Sequence, residues 1–258
     1  MYGGLRNPGT LCYLNAFIQI VRIMHAKDKH NVTNASSLHA LLISMDIETV
    51  SDPVPFAMTL PVPFRPGSGQ QDILELMTFF FAAASPITAS SVSLAVQRRT
   101  QCLTCLTFSI YDGVESFISM SPITFTVERL LALASAPTPA IGYKCTQCHA
   151  IDATTTEVFH PTGNFFLFHI KRFQTVLGPR GFRALKNIDP VVITRDVVLG
   201  DIPFTLEAVV LHDGDMSGGH YITDVLASRL CFDDSSIYAI PRTRSALATP
   251  ILLLYRRT

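Results

Sequence analysis

Two stretches in the first third of the chain show the apolar spacing of amphipathic helices, in which hydrophobic residues recur every three or four positions. The first covers residues 11–24, and the second begins near Ser68. Ser68 and Gln71 have the spacing of a capping box, which predicts that the second helix starts at Ser68. Residues 52–67 contain five prolines and predict an irregular surface connection. The apolar faces consist of Leu14, Phe17, Ile18 and Val21 in the first helix, and of Ile73, Leu76, Met77 and Phe80 in the second.

The pattern changes after about Cys102, where short apolar segments rich in β-forming residues are separated by Gly and Pro. Helices that precede a series of strands favour the α+β fold class. A length of 258 residues is near the upper limit for one hydrophobic core, so residues 1–258 are expected to form a single domain. The predicted strands cover residues 165–170, 191–194, 204–211, 220–226 and 251–255.

Composition limits the classes of function. Hydrophobic residues make up 48% of the chain and charged residues 16%, which excludes a disordered protein. Lys+Arg and Asp+Glu both number 20, so the net charge gives no reason to expect binding to nucleic acid or to an anionic membrane. The first residues lack the apolar segment of a signal peptide, and residues 76–84 are too short to cross a bilayer. We therefore expect a cytoplasmic protein, with the nucleus as an alternative location.

Four of the six cysteines form two CxxC motifs, a spacing that lets two thiolates bind one face of a tetrahedral Zn²⁺ ion. The motifs are Cys102 with Cys105 and Cys145 with Cys148, and the 39 residues between them are more than a stand-alone zinc ribbon needs. Together they predict one structural zinc site and favour a reducing compartment. The alternatives are a site that no longer binds metal and a redox-active pair. His149 could substitute for a cysteine ligand, but we expect it to be an exposed neighbour of the site.

Cys12 lies at the predicted start of the first helix, where backbone N–H groups and the helix dipole stabilise a thiolate. Gly9 allows a tight turn that leaves the thiol accessible. Asn7, five residues before the cysteine, could donate its side-chain amide to the oxyanion of a reacting carbonyl. These features predict a nucleophile. The alternative is a small buried hydrophobic residue, which is the commoner role of a free cysteine.

A cysteine nucleophile needs a base from elsewhere in the chain, and His220 is the candidate. It follows two glycines at the start of an apolar strand, while Asp233 lies at the end of the next strand. Antiparallel pairing of those strands would bring Asp233 beside His220, where its carboxylate could orient the imidazole. A structural histidine and a turn aspartate are the alternatives when each residue is considered alone.

Seven segments follow one another in a characteristic order along essentially the whole chain: residues 4–19 (GLRNPGTLCYLNAFIQ), 70–76 (QQDILEL), 166–173 (FLFHIKRF), 208–212 (AVVLH), 218–221 (GGHY), 232–235 (FDDS) and 252–257 (LLLYRR). In sequence and in order they resemble the conserved boxes of ubiquitin-specific proteases. The departures are Leu11 where the family has Thr, Leu76 where it has Phe, and Arg229 where Trp is common. These departures indicate a compact, divergent member of the family.

The resemblance implies a papain-like cysteine protease with thumb, fingers and palm, in which the CxxC pairs form zinc-ribbon-like fingers. Residues 1–95 would then be the thumb, residues 96–165 mainly the fingers and residues 166–258 mainly the palm. It also implies cleavage after the C-terminal glycine of ubiquitin, with ubiquitin or ubiquitinated proteins as partners. We expect the protein to act as a monomer.

The same resemblance assigns roles to individual residues. Asp72 has an alternative role as a first-turn acid that satisfies the helix dipole, and Tyr221 has an alternative role in core packing. The implied roles are nucleophile for Cys12, base for His220, orienting acid for Asp233, oxyanion donor for Asn7, and contacts with the ubiquitin tail for Asp72, Gln71 and Tyr221.

Three other functions compete with an active deubiquitinase. The first is a catalytically weak or dead ubiquitin-binding module, which would not need Cys12. The second is a protease for another ubiquitin-like modifier or for a polyprotein. The third is a zinc-ribbon module for nucleic acid, which the balanced charge disfavours.

Overall fold

The computed structural model describes residues 3–28, 36–83, 91–178, 181–215 and 218–258. None of the helices in these ranges has the length and apolarity needed to cross a membrane. The helices are α1 (Cys12–Lys27), α2 (Ser36–Ile47), α3 (Val54–Ala57), α4 (Ile73–Ala83) and α5 (Val127–Ala134), with a 3₁₀ turn at Val62–Phe64.

Strands dominate the remainder of the chain, as the sequence pattern predicts. They are β1 (Gly4–Leu5), β2 (Val50–Ser51), β3 (Leu94–Cys102), β4 (Phe108–Glu115), β5 (Phe117–Met120), β6 (Thr138–Pro139), β7 (Ala153–Pro161), β8 (Phe165–Ile170), β9 (Phe173–Gly178), β10 (Gly181–Lys186), β11 (Asp196–Leu199), β12 (Ile202–Gly214), β13 (Gly219–Val225), β14 (Leu230–Asp233), β15 (Ser236–Ala239) and β16 (Thr249–Arg257).

An eight-stranded sheet forms the centre of the molecule. Its order is β15-β14-β13-β12-β16-β8-β5, and β11 pairs with β12 outside this path. All neighbours are antiparallel except β5 and β8. A second sheet has four strands in the order β4-β3-β7-β6, and the two CxxC motifs lie at one end of it. Two short pairs, parallel β1-β2 and antiparallel β9-β10, complete the strands.

Two hydrophobic clusters lie on opposite faces of the central sheet. On one face α1 packs against β12, β13 and β14, and Phe17 and Leu252 are both fully buried there. On the other face the ring of Phe166 stacks on Tyr255 with centroids 4.8 Å apart. Because α1 is sandwiched between the sheet and the other helices, nearly every side chain in its first three turns is buried. The position of its first residue is therefore set by the core.

Three local expectations from the sequence are wrong. Helix α4 begins at Ile73 and not at Ser68, because the Asp72 carboxylate accepts the Leu74 N–H at 2.7 Å and caps the helix, whereas the Ser68 hydroxyl donates to the Val62 carbonyl. Residues 191–194 form only an isolated bridge, at Val192, and not a strand. The proline-rich connection is partly regular, because it contains α3 and the 3₁₀ turn.

Candidate active site

The structure brings Cys12, His220 and Asp233 together from three separate elements. Cys12 is the first residue of α1 and is 2% exposed. His220 lies near the start of β13, and Asp233 ends the neighbouring strand β14. The His220 Nε2 atom is 2.6 Å from Asp233 Oδ1. Cys12 is the other partner of the His220 side chain, and Nδ1 is the ring nitrogen that Asp233 does not engage.

Two partners act together on the His220 ring. The hydrogen bond with Cys12 is the largest influence, and with the Asp233 hydrogen bond it outweighs the cost of burial and raises the His220 pKa to about 9. At neutral pH the ring is therefore an imidazolium, and its positive charge would stabilise a thiolate at Cys12. Asp233 is itself held from the far side, because the Tyr238 hydroxyl donates to its Oδ2 atom at 3.1 Å.

Asn7 orders the loop that leads into α1. Its Oδ1 atom accepts the N–H groups of Gly9, at 2.9 Å, and of Leu11, at 3.0 Å. Its Nδ2 atom donates to Asp234 Oδ2 at 2.8 Å. One of the two amide protons of Asn7 therefore bonds within the protein. Gly9 has φ of 134°, a conformation that favours glycine, so the turn before Cys12 depends on it.

Asp234 belongs to the site, although the sequence analysis assigns it no role of its own. Besides Asn7, it accepts the side-chain amide of buried Asn15 through Oδ1 at 2.7 Å. Its main-chain carbonyl accepts the Leu5 N–H at 2.8 Å. Asp234 thus connects the loop before Cys12, helix α1 and the β14–β15 turn. The Asp234 Oδ2 atom also lies 3.9 Å from His220 Nε2, farther than the 2.6 Å of Asp233 Oδ1. The signal for Asp234 in the sequence is the doubled aspartate at positions 233 and 234.

A cleft of about 430 Å³ lies beside His220, between the start of α4 and the ends of β12 and β13. All three predicted substrate-binding residues, Gln71, Asp72 and Tyr221, line it. The sequence reasoning missed Glu75, which lies one turn after Asp72 on the same helix face. The remaining lining residues are Gln70, Phe173, His212, Asp215, Gly218 and Gly219.

The cleft is acidic at one end and aromatic at its base. Burial raises the pKa of Asp72, although the Leu74 N–H opposes that shift. Burial also raises the pKa of Tyr221, and the Asp72 charge adds to the effect. The His212 ring packs edge-on against Tyr221 with centroids 4.7 Å apart, and burial lowers the His212 pKa to about 4. His212 is therefore neutral, and the cleft keeps its negative character at neutral pH.

Two hydrogen bonds close one side of this cleft next to His220. The Gln70 Nε2 atom donates to the Gly219 carbonyl at 2.8 Å, and the Gly219 N–H donates to Gln70 Oε1 at 3.2 Å. A Cβ atom at Gly219 would lie 2.1 Å from the His212 ring. Gly219, which directly precedes His220, must therefore be a glycine because of its close packing against His212.

The four CxxC cysteines meet at the tip of the four-stranded sheet. The Sγ atoms of Cys102 and Cys148 are 3.6 Å apart, as are those of Cys105 and Cys145, and all four sulfurs lie within 4.8 Å of one another. Zn–S bonds of about 2.3 Å in a tetrahedron place sulfurs roughly 3.8 Å apart, so the four thiols fit the ion. His149 is not part of this cluster of four sulfurs.

The two CxxC turns have matching backbone geometry. The N–H group of Leu106 bonds to the Cys102 carbonyl, and that of His149 bonds to the Cys145 carbonyl, both at 3.1 Å. Leu106 has φ of 61° and His149 has φ of 62°. The two turns therefore present their cysteines in the same local backbone geometry, as expected for two halves of one metal site.

A family profile described as ubiquitin carboxyl-terminal hydrolase matches residues 3–255. No curated protein sequence matches the chain significantly. Three solved structures of the SAGA DUB module are similar in fold, and together with the mixed helices and sheets they confirm the predicted fold class.

The structural similarity extends over nearly all of this chain. The module Ubp8/Sgf11/Sus1/Sgf73 bound to monoubiquitin gives a TM-score of 0.78 at 17% identity, covering 99% of this chain and 69% of the matched chain. The module bound to ubiquitin aldehyde gives 0.79 at 16% identity, covering 99% and 69%. The yeast module with a mutant Sgf73 gives 0.76 at 16% identity, covering 99% and 68%. With a profile match over nearly its whole length, the chain belongs to the ubiquitin carboxyl-terminal hydrolase family.

Proposed function

We propose that the protein is a cysteine deubiquitinase that hydrolyses the peptide or isopeptide bond after the C-terminal glycine of ubiquitin. The observation that supports this most strongly is the convergence of Cys12, His220 and Asp233 beside an acidic cleft. Membership of the family and the ubiquitin-bound state of similar structures support the choice of substrate.

In the proposed reaction the Cys12 thiolate attacks the carbonyl carbon of the terminal glycine. The His220 imidazolium then donates its proton to the leaving amine, and the Cys12 sulfur remains bound to ubiquitin as a thioester. Water then attacks the thioester carbonyl as the neutral His220 imidazole takes its proton, and the C–S bond breaks. The ubiquitin carboxylic acid leaves and loses its proton to solvent, and the thiolate of Cys12 and the imidazolium of His220 are restored. Asp233 keeps the imidazole oriented throughout, through its hydrogen bond to Nε2.

Asn7 has two tasks in this proposal. One Nδ2 proton bonds to Asp234 and fixes the amide, and the second proton is offered to the oxyanion of the tetrahedral intermediate. Because Asn7 Oδ1 also holds the Gly9 and Leu11 N–H groups, the amide cannot rotate without breaking the loop before Cys12. An oxyanion donor fixed in this way needs little reorganisation during the reaction.

The cleft beside His220 is the proposed site for the basic, glycine-rich tail of ubiquitin. Asp72 and Glu75 supply negative charge on one helix face, and Tyr221 and Gln71 line the same cleft. To enter the cleft, the ubiquitin tail must either break the two hydrogen bonds between Gln70 and Gly219 or pass beneath them. A narrow passage of this kind would admit glycine and exclude larger side chains next to the scissile bond.

We further propose that Cys102, Cys105, Cys145 and Cys148 hold one Zn²⁺ ion. Such an ion would join the two CxxC turns and stabilise the end of the four-stranded sheet, which is separate from the sheet that carries His220 and Asp233. All six cysteines are free thiols, which suits the cytoplasm or the nucleus as the proposed location. A monomeric state and the boundaries of thumb, fingers and palm remain predictions.

Hydrolysis of a fluorogenic amide of the ubiquitin C-terminus tests the proposal. We expect turnover by the wild-type protein, and we expect Cys12→Ser to abolish turnover while ubiquitin binding, measured by titration calorimetry, is retained. Binding without turnover in the wild-type protein would support a catalytically dead module. Turnover only with another ubiquitin-like modifier would keep the chemistry and reject ubiquitin as substrate.

A further inference from the structure

A second cavity, of about 640 Å³, lies on the side of the protein away from Cys12. Lys27 lines it and is the last residue of α1, whereas Cys12 is the first. A helix of 16 residues separates its two ends by roughly 22 Å. The cavity is therefore separate from the cleft that is proposed to bind ubiquitin.

The lining of this cavity is strongly basic although the whole chain has no net charge. Four cationic side chains and one carboxylate line it, a surplus of three positive charges. The cations come from four different elements: the end of α1, the segment before β11, the β13–β14 turn and β16. They are Lys27, Arg195, Arg229 and Arg256, and the carboxylate is that of Glu207.

The negative charge of Glu207 is already paired with Arg256, so it does not offset the charges of Lys27, Arg195 and Arg229. The Arg256 Nε atom donates to Glu207 Oε1 at 2.5 Å, and the Glu207 side chain is only 8% exposed. This ion pair fixes the Arg256 guanidinium at the wall of the cavity. Among the residues that the structure describes, Lys27, Arg195 and Arg229 form no ion pair with a carboxylate.

Asp196 is a further carboxylate that contacts a lining residue, because it accepts the Thr205 hydroxyl at 2.6 Å. Asp196 lines a different cavity, with Val197 and Phe204, and not the basic one. Lys27, Arg195 and Arg229 are exposed to solvent, and together with Arg256 they line one space of ligand size.

We propose that this cavity binds a small anion that carries two or more linked phosphate groups. Guanidinium groups match phosphate oxygens in geometry as well as in charge, and a di- or triphosphate group carries a negative charge comparable with the surplus on the walls. A cavity of this volume suits a small ligand better than an extended acidic polypeptide, which would need a groove.

Titration calorimetry with inorganic pyrophosphate, on the full chain at low ionic strength, tests the proposal. We expect one saturable site in the wild-type protein, and roughly tenfold weaker binding in Arg195→Gln and in Arg229→Gln. The matched control is Arg242→Gln, which removes the same charge from an exposed residue outside the cavity and should leave affinity within about twofold. The backbone of Arg229 is held by its own main-chain bonds to Leu226 and Ile240, so the variant should fold normally.

Three results would overturn the proposal: no saturable binding to the wild-type protein, equal weakening by Arg242→Gln, or unchanged affinity in both cavity variants. Inorganic monophosphate is a second ligand for the same titration, and it should bind more weakly than pyrophosphate because it engages fewer of the cations. Hydrolysis of the ubiquitin substrate by the cavity variants should equal that of the wild-type protein. That readout separates failure of this proposal from failure of the proposed enzymatic activity.

Discussion

Alanine substitution of the adjacent residues Asp233 and Asp234 should affect different properties: the rate of hydrolysis for Asp233 and the free energy of unfolding for Asp234. Asp234 accepts two side-chain amides, from Asn7 at 2.8 Å and from Asn15 at 2.7 Å. Hydrogen bonds to a charged group contribute about 1.5–3 kcal/mol each, so their loss has an upper limit of roughly 6 kcal/mol. Water can replace the bond at half-exposed Asn7, whereas Asn15 is 3% exposed and would keep an unsatisfied donor. We therefore expect Asp234→Ala to lower the free energy of unfolding by about 3 kcal/mol.

Asp233 is a third exposed, and its partner His220 is more exposed still. The ion pair is therefore well screened, and Asp233→Ala should change the free energy of unfolding by less than about 1 kcal/mol. Loss of the hydrogen bond to Nε2 releases the imidazole and should lower kcat/KM by about a hundredfold or more. Asp233→Ala is thus a catalytic defect with little loss of stability, and Asp234→Ala is first a stability defect.

Urea unfolding with linear extrapolation measures the stabilities, and initial rates with the fluorogenic ubiquitin amide measure kcat/KM. Asp234→Asn is a useful intermediate, because asparagine tolerates the φ of 51° at this position and keeps one acceptor oxygen. It should lose about half of the stability that Asp234→Ala loses. If both alanine variants lose the same stability, or if Asp234→Ala is as stable as the wild-type protein, the separate roles assigned to the two carboxylates are wrong.

Four further predictions concern the site and the cysteine cluster. Because the His220 pKa is raised above its ordinary value to about 9, kcat/KM should fall as the pH rises through that value and the leaving amine loses its proton donor; a rate unchanged up to about pH 10 would contradict this. The same shift makes the contribution of His220 to stability complete below its ordinary pKa and lost as the pH rises through about 9. Metal analysis should find one zinc per chain, and chelation or Cys148→Ser should lower the Tm, whereas equal Tm values with and without chelator would argue against a structural ion. Asp72→Asn should raise KM for the ubiquitin substrate by roughly tenfold with little change in kcat, and a fall in kcat alone would exclude a role in binding the tail.

The large elements of the fold could be predicted because their apolar patterns are long and regular. The helix predicted at residues 11–24 is α1, and the segment 165–170 is β8 with the same limits. Local motifs such as capping boxes are less reliable predictors, because other hydrogen bonds in the folded protein can replace the ones that the motif predicts. Ser68 lost its predicted capping role because Asp72, four residues later, offers a carboxylate at the true start of α4.

The sequence predicts which residues lie together at the candidate site, but not the hydrogen bonds that hold those residues in place. The candidates Cys12, His220 and Asp233 come from distant segments, and their approach depends on β13 and β14 pairing as neighbours. The connection from Asp234 to Asn7 and Asn15 could not be foreseen, because it depends on the direction of each side chain in the β14–β15 turn. The same limit applies to the basic cavity, whose four cations lie far apart in the sequence.

The claim that Cys12 is the nucleophile of a ubiquitin hydrolase is tested most directly by a ubiquitin probe with a vinyl electrophile at its C-terminus. The protein should form a stable adduct with the probe in one-to-one ratio, and peptide mass spectrometry should place the adduct on Cys12. Cys12→Ala should form none, and the His220→Ala variant should react far more slowly. Absence of an adduct with correctly folded wild-type protein, or an adduct on any of the other five cysteines, would contradict the account.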